Sequence, residues 1–331
     1  EIKFTYPAHT EVSADLQTFY TETGLHPEFL AIVGYYDAIP FGITHAQPYA
    51  DVEDIVTDKF YADMDSDPFM DLSVGRVVAE TIHTASALTA RSVTYEDLLD
   101  GDWELDSVLL NGGEGEHIAI ANTLSHHFAT LGITSTILST NWQDAYLANR
   151  SVFFHFNHGW AGGLAGGPSY GMSQPVDPMV AMSGGCMTAG LALVRPDTAF
   201  ALAFLDLGAV AYLGNTRQAS NPIFTYEGAF WEGMVYRNLT LGQAHQRAVN
   251  MKIVEGMVGE TSHIPVHEAV LYGDPALEWH HPHSPEETAA HATTSIFGEG
   301  VEVEYVGPSL WWSESIPCSD GTKEMYSGPG I

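Results

Sequence analysis

The sequence predicts an α/β fold, a mostly parallel sheet flanked by helices, and three observations carry that expectation. Short apolar blocks alternate with helix-forming stretches along most of the chain, the order expected when crossover helices join parallel strands. Hydrophobic residues make up 45% and charged residues 16% of the chain, a balance that fills a core and argues against a disordered acidic polymer. The 331 residues are enough for two domains or one large α/β unit with subdomains.

Leu30–Val33 and a block within Asp71–Val78 read as short buried strands. Ala79–Leu99 has helical composition and spacing, and Asp100-Gly101-Asp102 ends it as a turn. Ser107–Leu110 is a strand running into Asn111-Gly112-Gly113. Ile118–Leu131 is a helix stopped by Gly132, and Ile133–Leu138 is the next strand. Val152–Phe156, Met179–Met182 and Ala209–Leu213 continue the strand series, with a helix over Thr198–Asp206 before the last. Asn221–Asn238 contains a helix and Gly242–Val258 another; after Trp279 the composition turns to His, Pro, Ser and Thr, with one strand-like run at Val301–Val306. The expected organisation is an N-terminal subdomain over 1–105, a catalytic subdomain over 106–280, and a linker or the start of an appended β module over 281–331.

Eleven Lys plus Arg face 42 Asp plus Glu, a formal charge of −31, which argues against nucleic acid as a partner. No apolar run reaches the roughly 18 residues of a membrane helix, since the longest, Ala199–Gly214, is broken by Asp206 and Gly208; no membrane span is expected. The start at Glu1, without a basic-then-apolar leader, reads as a processed chain or fragment. The acidic excess and scarcity of lysine lead to the expectation of an extracellular or cell-surface location. Cys186 and Cys318 are no disulfide framework and leave pairing or two thiols open. Nothing in the sequence speaks to an oligomeric state.

Two apolar runs each lead to a reactive side chain: Ser151-Val-Phe-Phe-His-Phe-Asn-His158-Gly159 and Pro178-Met-Val-Ala-Met-Ser-Gly-Gly-Cys186. Residues just beyond the C-terminal ends of parallel strands line the crevice where α/β proteins bind ligands, so His158 and Cys186 are expected to face each other. A thiolate is the nucleophile of acyl transfer, and an imidazole can take the thiol proton and return it to the leaving amine. The neighbouring glycines admit a substrate backbone and leave main-chain N–H groups for an oxyanion. The plain alternative is a buried cysteine and a loop histidine.

These blocks resemble the gingipain-type cysteine peptidases, relatives of caspases and legumains, in which one strand ends in His-Gly and the next in the nucleophilic Cys. Asp63–Arg76, Leu213-Gly-Asn-Thr-Arg217 and Leu271–Leu277 are further blocks of the same kind in the same order, and the resemblance spans roughly 28–279. It implies a caspase-like fold and a secreted cysteine endopeptidase that acts on protein or peptide substrates without a cofactor in the chemistry. It also implies Cys186 as nucleophile, His158 as general base and acid, Gly159 and Cys186 as oxyanion-hole donors, and Glu114 as the acid that orients His158, with Glu116 as its substitute. Gly185 departs from the alanine more usual before the nucleophile. The acid that gives some gingipains their arginine preference has no clear counterpart, because the Glu114–Ile118 loop is shorter. Related peptidases carry structural calcium, and Asp63, Asp65, Asp67 and Asp71 resemble such a loop; the sequence equally allows a polar turn without the EF-hand pattern.

Other readings compete. Ala181-Met-Ser183-Gly-Gly185 approaches a serine-hydrolase elbow, with Asp206 or Asp274 and His280 as partners, but too little chain separates Gly159 from Ser183 for that fold. A non-catalytic surface or assembly protein that keeps the fold is the non-enzymatic alternative. Metal sites at His263/His267 or in Trp279–His283 have little support, because Pro265 breaks the helix that would align the first pair and the second suits a solvated hinge.

Overall fold

The computed structural model describes residues 8–46, 53–99, 103–113, 115–139, 142–219, 224–257, 268–279, 313–317 and 323–327. The first part of the chain forms α1 (His9–Thr23), β1 (Phe29–Val33), β2 (Gly42–Ala46), β3 (Glu53–Thr57), β4 (Ser73–Val77) and α2 (Ile82–Val93). Then come β5 (Asp106–Leu110), α3 (Gly115–Thr130), β6 (Thr134–Leu138), β7 (Val152–His155), β8 (Gly159–Trp160), β9 (Gly163–Leu164) and β10 (Val180–Ser183). The rest is α4 (Phe200–Leu207), β11 (Ala211–Asn215), α5 (Phe224–Arg237), α6 (Leu241–Met257), β12 (Ala269–Gly273), β13 (Ser313–Pro317) and β14 (Lys323–Ser327).

Eight strands make one sheet in the order β1-β4-β12-β11-β10-β7-β5-β6. The strands from β11 to β6 are mutually parallel, β12 is antiparallel to β11, and β12, β4 and β1 are parallel to one another. The expected mostly parallel sheet is therefore present, with a single reversal at β11/β12. β2 pairs with β3 and β13 with β14 as separate antiparallel hairpins.

Successive side chains of a strand point to opposite faces, and the central strands are apolar on both. Val152, Phe154, Val180, Met182, Ala211 and Leu213 join one core, packed with Phe128 of α3, Trp231 of α5 and Ala248 of α6. Phe153, Ala181 and Tyr212 point the other way, into a second core with Leu88 of α2 and Phe200 and Phe204 of α4. This two-faced burial is why the strands read as unbroken apolar runs.

Local signals account for the helix ends. Thr81 accepts the Thr84 N–H at the start of α2, and Gly132, at φ 76°, follows α3 where the sequence places its stop. α3 begins one turn before the expected Ile118. The Val-Gly-Arg76 block has a structural role: the fully buried Arg76 clasps Asp58 through Nε and Nη2, donates from Nη1 to the carbonyls of Gly34 and Ile39, and lies 4.4 Å over the Phe41 ring. The Val301–Val306 run, the Asp100–Asp102 turn, the histidines at 263, 267, 280 and 283, and Cys318 lie outside the described residues.

Candidate active site

β7 and β10 are adjacent and parallel, with His155 paired to Ser183 in register. His158 and Cys186 each follow three residues later, so both leave the sheet at the same end and the same height. The two turns touch. A Cβ built on Gly185 would lie 2.9 Å from the Asn157 carbonyl oxygen and 3.1 Å from Gly159 N, and one built on Gly159 would lie 3.3 Å from the Cys186 carbonyl oxygen. Both expected oxyanion donors, Gly159 N–H and Cys186 N–H, thus belong to backbone segments in contact. His158 is exposed and Cys186 half-buried, and the Cys186 Sγ lies 3.9 Å from the Ala219 carbonyl oxygen.

The loop after β5 completes the group. Gly112 and Gly113 turn at φ 64° and 85°, conformations that suit glycine, and a Cβ on Gly112 would run into the Asn157 side chain. Asn111 Oδ1 accepts the Gly113 N–H at 2.9 Å. This loop carries the chain past Asn157 toward Glu114, which itself lies outside the described residues, as does the Glu116 side chain.

Beneath the turns is a buried polar layer that sequence reasoning missed. His155 Nδ1 and Ser183 Oγ share a 2.9 Å hydrogen bond, and Ser183 Oγ accepts the Gly185 N–H at 3.1 Å. Complete burial, with smaller contributions from the charges of His117 and His158, pushes the His155 pKa down to about 3. His155 is therefore a neutral support, distinct from the exposed His158. Glu227 is buried too, and its Oε1 would lie 2.8 Å from a Cβ on Gly184; burial holds its carboxyl well above the usual range. The sequence trace of these supports is that His155 and Ser183 close strand-like runs, where Ser183 reads as a rival nucleophile rather than as a support.

Ser183 itself is 2% exposed and its oxygen serves the turn. A serine nucleophile must reach substrate, so the esterase reading fails on burial.

One carboxylate oxygen from each of Asp63, Asp65 and Asp71 comes within 4.8 Å of the others. Burial raises the Asp63 and Asp71 pKa values, against the lowering effect of the Ser66 and Met64 N–H groups that they accept, and repulsion from the neighbouring aspartates adds a smaller upward push. Three converging hard oxygens suit calcium, although the neighbouring Lys59 supplies some positive charge already. Asp67 is not in the group; its Oδ1 accepts the Phe69 N–H at 2.7 Å.

The model of peptidase family C25 matches residues 5–280. Among solved structures, the Arg-specific cysteine proteinase gingipain R is similar at a TM-score of 0.68 and 16% identity, over 82% of this chain and 68% of that one. The complex of RgpB pro- and mature domains from Porphyromonas gingivalis gives 0.65 at 16% identity, over 82% and 70%. A further protease structure gives 0.64 at 14%, over 97% and 82%. No curated protein sequence matches. The structural likenesses establish the gingipain-like, caspase-like fold, and the family match over most of the chain establishes its class: the chain belongs to peptidase family C25, the gingipain family, and is a cysteine peptidase.

Proposed function

We propose that the protein is a secreted endopeptidase in which Cys186 and His158 form the catalytic dyad. The observation that carries this reading is the register of β7 and β10, which delivers both residues to one end of the sheet in turns that touch. His158 takes the proton of the Cys186 thiol, and the thiolate attacks the peptide carbonyl carbon. The resulting oxyanion is held by the N–H groups of Gly159 and Cys186. Collapse breaks the C–N bond as His158 gives its proton to the leaving amine, leaving a thioester. Water, deprotonated by His158, then releases the acid and regenerates the thiol. Glu114 orients the imidazole and stabilises its protonated form, in the manner of a triad acid.

The strong negative charge of the chain favours approach of cationic substrates and fits an extracellular setting. In this reading Asp63, Asp65 and Asp71 hold a structural calcium that takes no part in the chemistry, and the chain divides near residue 105 into an N-terminal and a catalytic subdomain.

The test is the pH dependence of iodoacetamide labelling at Cys186, with Cys318 as internal reference, followed by cleavage of a peptide library. Fast labelling below neutral pH that His158→Ala removes, together with turnover that Cys186→Ala abolishes, is the expected result. An ordinary thiol at Cys186, or cleavage that survives Cys186→Ala, refutes the dyad.

A further inference from the structure

The Leu213–Arg217 segment wraps the turn that carries Cys186, and its contacts fall on the peptide units around that residue. The Gly185 carbonyl oxygen accepts two hydrogen bonds, from Asn215 Nδ2 at 3.2 Å and from Thr188 Oγ1 at 3.3 Å. Both donors are buried, Asn215 at 4% exposure and Thr188 at 1%. The Met187 N–H is bonded to the Arg217 carbonyl at 2.7 Å and the Ala189 N–H to the Asn215 carbonyl at 2.9 Å. On the other side the Gly185 N–H is held by Ser183 Oγ. Met187 sits at φ 57°, a conformation unfavourable for a side-chain-bearing residue that persists only where surrounding contacts impose it.

A planar trans peptide points its N–H opposite to its C=O. The carbonyl of the Gly185–Cys186 peptide is drawn toward Asn215 and Thr188, so its N–H is aimed the other way. That N–H belongs to Cys186. Thr188 also ties this turn to the opposing one, for a Cβ on Gly159 would lie 2.5 Å from the Thr188 methyl carbon. The hydroxyl and methyl of one side chain thereby set the spacing of the two backbone segments that carry the N–H groups.

We infer that Asn215, with Thr188, is a positioning residue for peptide hydrolysis, clamping the Gly185 carbonyl so that the Cys186 N–H is fixed as an oxyanion donor before substrate arrives. The inference rests on the dyad reading above. It assigns the Leu213–Arg217 block a role in transition-state stabilisation rather than in activation of the thiol.

The experiment compares two chemistries at the same sulfur. Peptide hydrolysis and inhibition by a peptide aldehyde both create an oxyanion, whereas alkylation by iodoacetamide displaces iodide and creates none. Removing an oxyanion donor outright costs about 100- to 1,000-fold in kcat, and loosening one is expected to cost about 10- to 100-fold. Asn215→Ala should lower kcat by that factor on a fluorogenic peptide cleaved by the wild-type protein. KM should stay within about threefold, aldehyde inhibition should weaken in parallel with kcat, and the alkylation rate of Cys186 should be unchanged. Thr188→Val keeps the methyl and removes the hydroxyl; it should show the same pattern at smaller amplitude, and Thr188→Ser, which keeps the hydroxyl but gives up the methyl beside Gly159, should recover part of the loss. If Asn215→Ala does not fold, the Thr188 pair decides. A kcat within twofold of wild type in the folded variants overturns the inference, and so does a parallel fall in alkylation, which would place the effect on the thiol. A wild-type protein with no peptide cleavage and an ordinary Cys186 would instead remove the dyad reading, and the inference with it.

Discussion

Gly185→Ala probes the contact between the two turns directly. The added Cβ would lie 2.9 Å from the Asn157 carbonyl oxygen, 3.1 Å from Gly159 N and 3.2 Å from Gly159 Cα, where ordinary contact begins at 3.4 Å. All three neighbours are backbone atoms, so no side chain can rotate away. Relief requires the 157–159 and 184–186 segments to separate by about 0.3 to 0.5 Å, the shortfalls against oxygen and nitrogen being 3.4 − 2.9 and 3.4 − 3.1. Overpacking of this kind costs about 1 to 3 kcal/mol, a fall of a few degrees in Tm. A misplacement of about 1 Å in a catalytic arrangement can cost 100-fold, so half of that is worth about tenfold in kcat. The expected result is a tenfold lower kcat with KM little changed, read by steady-state peptide hydrolysis beside thermal melting and iodoacetamide labelling. Gly184→Ala is the contrast, because its Cβ would meet the Phe156 ring and Glu227 Oε1, side-chain atoms that can yield at a cost in stability alone. Full kcat together with an unchanged Tm in Gly185→Ala would refute the reasoning, for it would mean that the turns are not in contact. The alanine more usual in the family would then need no accommodation here.

Breaking the buried Arg76–Asp58 pair, with side chains 0% and 6% exposed, by Arg76→Met or Asp58→Asn should cost about 3 to 5 kcal/mol, read by urea unfolding. Burial lowers the pKa of His155 to about 3 and of His127 and His245 to about 4. Below the ordinary value of 6.5 the unfolded chain binds protons that the native protein refuses. Stability present above pH 6.5 should therefore fall as pH drops toward 4, by about 1.4 kcal/mol per pH unit for each histidine; a flat Tm between pH 6.5 and 4 would contradict it. Glu227 has the opposite sign, since its raised pKa means stability present below about pH 4.5 is lost as pH rises. Glu227→Gln should then raise Tm at pH 7 to 8, and a lower Tm would show the carboxylate to be charged and paired. For calcium, millimolar Ca²⁺ should raise Tm by mass action, about 2.7 kcal/mol at a hundredfold excess over Kd. Asp71→Asn should abolish the effect and Asp67→Asn spare it; equal loss in both would dissolve the three-carboxylate site.

The sheet was legible because its central strands are apolar on both faces: Val152–His155, Val180–Ser183 and Ala211–Asn215 fall where the apolar runs predict, within two residues. Elements whose residues are held by distant partners were not legible. α1 contains no fully buried residue and so carries little amphipathic signal. The β2/β3 hairpin is tied down from outside its own sequence, the Thr216 hydroxyl donating to the Val56 carbonyl at 2.7 Å. β12 is fully buried, but nothing local marks it as the strand that reverses direction. Among the residues of the proposed site, Cys186 and His158 stand out in the sequence because each follows a strand-like run. Asn215 and Thr188 do not, because what matters is which carbonyl they reach, and that depends on the turn between β10 and α4.

The order of strands explains why the site forms where it does. From β5 the chain moves outward to β6 at the sheet edge and then returns to the other side of β5 as β7, after which β10 and β11 continue in the opposite direction. Loops leaving the C-terminal ends of strands diverge at such a reversal and open a crevice. Here the loop after β5 meets the loop after β7 at Gly112 and Asn157, and that loop meets the one after β10 at Gly159 and Gly185. Glycine stands on at least one side of each meeting point because a Cβ there would collide. The crevice is thus narrowed by backbone packed on backbone, which brings peptide N–H groups together more closely than side chains would allow. The proposed mechanism, in which main-chain donors hold a developing oxyanion, needs such an arrangement, and residues far apart in sequence come together because parallel register puts 111, 157 and 185 at one end of the sheet.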